Sequence, residues 1–315
     1  MDLMAEVLAG VHSHEAVLHR SVLAVPYGLH VDERSPLTVI VVLDGPAWVE
    51  LGDGQRHQLG CGIVHLVTGD LAGAEPYLLT DAPGSPVRYR IDRSGAARVD
   101  GEPLPPPTDQ VRCLVEPIEP GEPSATVISG NYSLSAGLGR LVRNGLPPLA
   151  SVRVPETSAL ISLLEAELDS GRPGQQAVLD RWLDLLLATA IRSWFTDERT
   201  GPAWCLARTD PQVGPALAAM HRAPQQRWTV ASLARQAGSS RSAFSARFSD
   251  LLGQAPMSYL TELRMDLAVD LLRRDDASLS AVAQAVGYAD QFGFSAAFKR
   301  HRGLSPSMVR RRTAG

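Results

Sequence analysis

The sequence has few cysteines and no long apolar run, and these absences exclude several classes of protein. Its three cysteines, Cys61, Cys113 and Cys205, lie too far apart to form a metal-binding motif or a disulfide framework, so a reducing compartment is expected. No apolar run reaches the roughly 18 residues of a membrane span, and no charged and apolar leader opens the chain. We therefore expect a cytoplasmic protein without a signal peptide or membrane segment.

Lysine is almost absent as well, and the basic charge is unevenly distributed. Lys299 is the only lysine among 30 basic residues. The part from Pro211 onward holds 14 of those 30 basic residues but only 7 of the 34 acidic ones. This asymmetry predicts a C-terminal part that meets a polyanion and an N-terminal part that does not.

A duplicated pattern dominates the C-terminal part. Four residues recur 50 positions later with their types unchanged: Phe244, Phe248, Gly253 and Pro256 return as Phe294, Phe298, Gly303 and Pro306. Each copy reads as a short amphipathic helix, a glycine turn and a second helix with two phenylalanines four residues apart, which is typical of a helix-turn-helix. Thr229 and Ser240 are the expected N-caps in the first copy.

A single helix is predicted between the two copies, over residues 256–274. At 1.5 Å per residue it would be roughly 26–28 Å long. That length would hold the two units about one turn of DNA apart, ~34 Å, so that both second helices could enter successive major grooves.

The N-terminal part reads as a β-barrel or sandwich. Short strands punctuated by Gly, Asp and Pro are predicted at 21–25, 37–43, 46–51, 63–67 and 77–80, with a hairpin turn at 52–54. A short helix is expected over 1–11. Residues 92–123 are predicted to be an exposed loop with a polyproline stretch at 103–107, and strands at 111–115 and 125–134 to close the barrel.

Two amphipathic helices follow, over 159–168 and 175–195. Their apolar stripe either forms a homodimer seam or packs on the chain's own barrel, and the sequence leaves both interpretations open. The expected division is a β-barrel domain at 1–134, a helical linker at 135–210 and a DNA-binding domain at 211–315. The fold class is α+β, with an all-α C-terminal domain.

The C-terminal residues RMDLAVDLLRR (264–274) and LSAVAQAVGYADQFGFSAAFKRHRGLSPSMVR (279–310) resemble the AraC-type transcription regulators over about 95 residues. The upstream strands, with LGCGIVHLV at 59–67, resemble the cupin-like sensor domain of bacterial regulators. One departure is Val309, where an aromatic is usual. The resemblance implies a sequence-specific regulator that binds double-stranded DNA and contacts RNA polymerase if it is an activator.

Residues opposite the paired phenylalanines are predicted to meet DNA. They are Arg241, Ser242, Ser245 and Ala246 in the first unit and Asp290, Gln291, Phe292, Ser295 and Ala296 in the second. Arg241 would read guanine and Gln291 adenine. Arg247, Lys299, Arg300 and also Arg302 are candidates for phosphate contacts, whereas Arg264 could form an internal ion pair with Asp266 or Asp270.

Trp48, Cys61 and His65 are the candidate sensor residues of the barrel. The signal would be a small molecule or an oxidant acting on Cys61, although the favoured interpretation of Cys61 is a small buried residue. A cupin-type metal-dependent enzyme is the alternative function. The barrel lacks the paired histidines and the glutamate that a metal site needs, so we expect no metal, no cofactor and no catalysis.

Overall fold

The computed structural model describes residues 4, 8, 18–32, 35–68, 76–92, 96–103, 112–115, 121–132, 142, 145–197, 199–273 and 278–313. Its contacts divide the chain into two compact units. The barrel unit comprises residues 11–134 and 146–194, and the helical unit comprises residues 1–10, 135–145 and 195–315. Most of the segment predicted to be a separate helical linker is thus grouped with the barrel.

Two sheets build the barrel unit. The described strands are β1 (Leu18–Ala24), β2 (Gly28–Val31), β3 (Leu37–Asp44), β4 (Ala47–Glu50), β5 (Arg56–Leu59), β6 (Val64–Thr68), β7 (Tyr77–Thr80), β8 (Tyr89–Ile91), β9 (Ala97–Val99), β10 (Glu102–Pro103), β11 (Arg112–Val115), β12 (Ser124–Tyr132) and β13 (Leu149–Val152). One sheet has the order β11-β1-β12-β3-β6-β13, and the other has the order β10-β9-β8-β2-β7-β4-β5.

Strand β3 is the centre of the first sheet because both of its faces are buried. It lies between β12 and β6, and its residues from Leu37 to Val42 are all buried. A strand covered on both sides explains the run LTVIVVL, in which Thr38 is the one polar residue; apolar and polar residues would alternate if one face met water. Ile40 and Val42 contribute to the core between the two sheets.

Most of the predicted strands are confirmed, and the departures lie in short segments. The turn at 52–54 joins β4 to β5, with Glu50 opposite Arg56. The predicted loop over 92–123 is partly wrong, because β9 and β10 form a small antiparallel pair there. The sequence did not predict strand β13, because this segment is recognisable as a strand only by its hydrogen bonds to β6. Of the predicted polyproline stretch, residues 104–107 lie outside the described residues.

Two helices complete the barrel unit, α1 (Pro155–Leu168) and α2 (Gln175–Thr196). A Cβ at Gly130 of β12 would collide with the side chain of Leu183, so α2 packs directly on the first sheet. Of the two interpretations left open, packing on the chain's own barrel is therefore confirmed for this face of α2. Another face leaves three apolar side chains exposed: Leu163 (48%), Val178 (41%) and Leu185 (48%).

The described part of the helical unit after residue 196 contains α3 (Ala203–Thr209), α4 (Gly214–Arg222), α5 (Val230–Gln236), α6 (Arg241–Leu252), α7 (Pro256–Arg273), α8 (Leu279–Ala285), α9 (Gln291–Arg302) and α10 (Pro306–Thr313). Helix α3 was missed, because its Gly- and Pro-rich surroundings predicted a linker. Of the predicted helix over 1–11, only Met4 and Leu8 are described, and both are helical. No helix in the described part of the chain is both long and apolar enough to cross a bilayer.

Two separate hydrophobic cores hold the helical unit together. The first gathers Leu233, Phe244, Phe248 and Leu260, and the second gathers Val282, Phe294, Phe298 and Leu272. Helix α7 supplies residues to both cores, Leu260 near its start and Leu272 near its end. The predicted linking helix is thus confirmed up to Arg273, and Arg274 lies outside the described residues.

Candidate nucleic-acid interface

Helix α6, the second helix of the first unit, is anchored by its core residues and its cap. The Ser240 hydroxyl accepts a hydrogen bond from the amide of Ala243 at 3.2 Å, which satisfies one of the open donors at the helix start. Phe244 and Phe248 are fully buried. The opposite face exposes Arg241, Ser242 and Ala246, with Ser245 half-buried beside them.

Helix α9 repeats this arrangement in the second unit, with a stronger cap. Asp290 Oδ1 accepts hydrogen bonds from the amides of Phe292 and Gly293, both at 2.8 Å. Asp290 was predicted to face the groove; the structure gives its carboxylate a capping role, and a contact with DNA stays a prediction. The Ser295 hydroxyl is also engaged within the helix, because it donates to the carbonyl of Gln291 at 2.7 Å.

The outer face of α9 carries most of the predicted contact residues. Phe292, Ala296, Lys299 and Arg300 are exposed, and Gln291 is half-buried at the start of the helix. The spacing of four, three and one residues places these four exposed side chains on one side of the helix. This side combines an apolar end with a cationic end, and a duplex offers base edges and phosphates to such a surface.

Arg247 has a partner within the chain. Its Nε and Nη2 donate to Asp210 Oδ2 at 2.9 and 2.7 Å. The corresponding position in the second unit, 50 residues later, is Ala297, which is buried. Position 247 therefore lies at the edge of the core-facing side of α6. The ion pair accounts for Arg247 without DNA, and its phosphate contact stays a prediction.

Asp210 is held as the anion by this contact. Burial acts to raise the pKa of Asp210, but hydrogen bonds from Arg247 and from the amides of Gln212 and Val213 outweigh it, so the pKa lies below its usual value. Since Asp210 directly follows α3, the ion pair attaches α3 to α6.

Arg302 also pairs within the chain. Its guanidinium contacts Asp266 of α7, and the two side chains are 23% and 4% exposed. Asp266 had been proposed as the partner of Arg264, and that expectation is wrong because Arg302 takes the carboxylate. The pair fixes the end of α9 to the linking helix.

Arg264 connects the two helix-turn-helix units by donating hydrogen bonds to backbone carbonyls. Its Nε donates to the carbonyl of Pro224 at 2.7 Å, and its Nη2 donates to that of Gln226 at 2.8 Å. A Cβ at Gly287 would lie only 2.6 Å from the carbonyl oxygen of Gln225 and 2.9 Å from Arg264 Nη2. The turn of the second unit therefore touches the loop that leads into the first. The sequence predicted α7 as the connection between the units, and the structure adds this second one.

The three candidate sensor residues do not form one site. Trp48 lies on the face of β4 opposite the buried Ala47 and Val49, so it points away from the core between the sheets. Cys61 is exposed and its thiol donates to the carbonyl of Gly45 at 3.5 Å. An exposed thiol excludes the expectation that Cys61 is simply a buried small residue.

His65 is buried and both of its ring nitrogens are occupied. Nε2 lies 3.3 Å from the carbonyl oxygen of Gly60, and Nδ1 lies 2.9 Å from the Ser151 hydroxyl. A neutral ring that donates from Nε2 and accepts at Nδ1 satisfies both partners. Burial lowers the pKa of His65, which favours this neutral form. Within the described residues, no cluster of three or more His, Cys, Asp or Glu could hold a metal.

A small polar-lined cavity between the two sheets was not anticipated. Its polar lining comes from β1 and β12, namely His19, Ser21, Ser129 and Asn131, and it has room for about one water molecule. The cross-strand pairing of His19 with Ser129 brings these residues together. Polar residues alternating with apolar ones in β12 were a visible signal, but the sequence does not show which face of the strand is the interior.

Known proteins share both halves of this architecture. The family profile described as "Cupin" matches residues 2–196, and the profile described as "Helix-turn-helix domain" matches residues 233–312. An AraC-like transcription regulator of Streptomyces antibioticus is 34% identical over 193 residues, which are 59% of this chain and 63% of that protein. The chain belongs to the AraC-type transcription regulators with a cupin domain.

Two further similarities extend over different lengths. The HTH-type transcriptional regulator AlkR of Acinetobacter baylyi is 25% identical over 324 residues, covering 99% of this chain and all of that protein. The DNA-binding domain of AdpA, solved in complex with a target DNA, is 31% identical over 31% of this chain and 91% of its own, with a TM-score of 0.29. The alignment with the Streptomyces relative covers less than two thirds of that relative's length. These relatives are regulators and give the enzyme alternative no support.

Proposed function

We propose that this AraC-type regulator binds a defined DNA duplex with α6 and α9 in two neighbouring major grooves, and that the barrel unit senses the signal that controls it in the cytoplasm. The duplicated helix-turn-helix carries the proposal. Both second helices have 12 residues, a side-chain N-cap and a left-handed glycine C-cap, and each buries two phenylalanines while exposing the opposite face. Helix α7, with 18 residues, is ~27 Å long.

The exposed residues divide into base readers and backbone contacts. Arg241 stands at the first position of α6, where a guanidinium can donate two hydrogen bonds to guanine. Gln291 stands at the same position of α9, where an amide can pair with adenine. Lys299 and Arg300 lie farther along α9 and are suited to phosphate, because they are exposed cations on the same side of the helix.

A binding experiment tests this proposal. Full-length protein would be used to map its binding sites across the genome, and the strongest duplex would then be titrated at several salt concentrations. We expect tight, salt-dependent binding to that duplex. A Gln291→Ala variant should lose about 1–3 kcal/mol of discrimination at one base pair.

The matched control is Gln58→Ala, because Gln58 is an exposed glutamine in the barrel unit. This variant should discriminate among duplexes as the parent does. Equal affinity of the parent for all duplexes would overturn sequence-specific binding. Unchanged discrimination in Gln291→Ala would remove only the role of that residue.

Two finer parts of the proposal concern the barrel unit. The signal is either a small molecule that binds elsewhere than the water-sized cavity between the sheets, or an oxidant that acts on the exposed Cys61 thiol. A reporter assay separates the two. A Cys61→Ser variant that responds normally to oxidant excludes the thiol.

A homodimer through α1 and α2 is the proposed assembly, with RNA polymerase as a further partner if the protein activates transcription. Its support is the exposed apolar set Leu163, Val178 and Leu185 on two consecutive helices. Sedimentation of the parent and of Leu185→Asp tests it. A parent that is monomeric at micromolar concentration contradicts the dimer.

A further inference from the structure

Phe292 differs from every other phenylalanine of the chain. The other five, Phe195, Phe244, Phe248, Phe294 and Phe298, are fully buried, whereas Phe292 is 77% exposed. It is also the most exposed of the large apolar side chains in the described residues, the next being 48%. The fold does not use this ring, which indicates that it serves an external partner.

The position of Phe292 leaves its ring open to solvent on the outer side of α9. It is the second residue of the helix, directly after Gln291, and the core side of that turn is already filled by Phe294. Gly293 follows it, and a Cβ there would meet only the Asp290 side chain at 3.6 Å or more. Ala296 lies one turn farther along the same side and is exposed. Phe292, Gly293 and Ala296 thus form an apolar patch, which we name the α9 patch.

The chemistry of the α9 patch is unusual for a surface that meets base edges. None of its three residues carries a side-chain hydrogen-bond donor or acceptor. The nearest carboxylate, that of Asp290, uses Oδ1 to cap the helix. In the major groove the C5 methyl of thymine is the one apolar group that a base pair presents, and phenylalanine is suited to contact it.

The charges next to the patch favour DNA over an apolar protein surface. Lys299 and Arg300 are exposed on the same side of α9, about two turns beyond Phe292. A duplex would offer phosphates to these cations while the start of the helix meets base edges. A helix with an apolar residue at its start and cations farther along therefore fits a major groove that carries a thymine methyl.

We propose that Phe292 is a specificity-determining residue that packs on a thymine C5 methyl, so that the half-site of α9 requires thymine at that position. This inference rests on the proposed function, because it needs α9 in the major groove. The first unit makes no such demand, since the position equivalent to Phe292 is Ser242.

Uracil substitution tests this directly, because uracil keeps the pairing of thymine and removes only the methyl. Full-length protein would select its preferred duplex from a randomised pool, and each thymine of that duplex would then be replaced singly by uracil. We expect one or two replacements in the α9 half-site to weaken the parent about threefold to tenfold. A Phe292→Ala variant should bind the thymine and uracil duplexes equally. Gln58→Ala, the control at an exposed position of the barrel unit, should respond to uracil as the parent does.

Several results would overturn the inference, and they are distinguishable from one another. A parent that enriches no duplex defeats the proposed function itself, and this inference with it. A parent that enriches a duplex but tolerates every uracil, or a Phe292→Ala variant equally sensitive to uracil, defeats methyl reading alone. A Phe292→Ala variant that binds DNA as the parent does but fails to activate a reporter would assign the ring to a protein partner instead. Unchanged thermal unfolding of Phe292→Ala confirms that the comparison is between folded proteins.

Discussion

The two helix-turn-helix units have similar cores and different exposed faces. The rings of Phe244 and Phe248 lie 5.6 Å apart, and those of Phe294 and Phe298 lie 5.5 Å apart. On the outer side, however, Ser249 and Asp250 of the first unit correspond to Lys299 and Arg300 of the second. Core residues conserve the helix geometry in both copies, while the exposed positions differ in charge and size. One scaffold can therefore present two different surfaces to DNA.

The units also differ in what holds them in place. The second helix of the first unit is tied to α3 through Asp210 and Arg247, whereas that of the second unit is tied to α7 through Asp266 and Arg302. The first-unit turn is open around Gly238, and the second-unit turn is crowded around Gly287. The second unit thus makes closer contacts with the rest of the helical unit than the first one does.

The similarity of the two cores predicts the largest changes in the free energy of unfolding. Phe244→Ala and Phe294→Ala should each lower the free energy of unfolding by about 3–5 kcal/mol, because each empties a fully buried site. Chemical denaturation of the full chain measures both. Phe292→Ala is the control and should change stability by less than about 0.5 kcal/mol. A difference of several kcal/mol between the two core variants would break the comparison.

The ion pairs predict a smaller and unequal effect. Arg302→Met should lower the free energy of unfolding by about 2–3 kcal/mol, because it removes the guanidinium that contacts the 4% exposed carboxylate of Asp266. Arg247→Met should cost about 1 kcal/mol or less, because Arg247 is 47% exposed. Equal costs in denaturation would show that the second unit is not more tightly held.

The Asp210 pair also makes a prediction about pH. Because the pKa of Asp210 is lowered in the fold, its stabilisation is present above the unfolded value of about 3.9 and is lost as the pH falls through the lower folded value. The stability difference between the parent and Arg247→Met should therefore shrink below about pH 4. A difference that grows on acidification would contradict this assignment.

The glycine turns predict the smallest difference. Gly238 and Gly287 both have positive φ, +60° and +83°, so alanine at either should cost about 1–2 kcal/mol. Gly287→Ala should cost about 1 kcal/mol more, because its Cβ would press on the Gln225 carbonyl. Thermal unfolding of both variants checks the order. A reversed order would mean that the loop moves away from the turn easily.

The sequence predicted what repeats locally and missed what depends on tertiary contact. The four paired phenylalanines, the caps Thr229 and Ser240 and the strand run at 37–43 were readable, because each is set by spacing or by local hydrogen bonds. The partners of Arg264 and Arg302 were not, since their contacts come from residues 36 to 40 positions away. The sequence also does not show which face of β4 or β12 points into the barrel, because that depends on tertiary contacts. Trp48 was therefore predicted as a sensor residue, and the residues that line the cavity were not predicted.

The central claim is that the two units read different half-sites, and exchanging the half-sites tests it most directly. The affinity of the full-length protein would be measured for its selected duplex and for a duplex with the two half-sites exchanged in place at the same spacing. If Arg241 and Ser242 face one half-site and Gln291 and Phe292 the other, as proposed, the exchanged duplex should bind at least about tenfold more weakly. Equal affinity for both duplexes would contradict the claim.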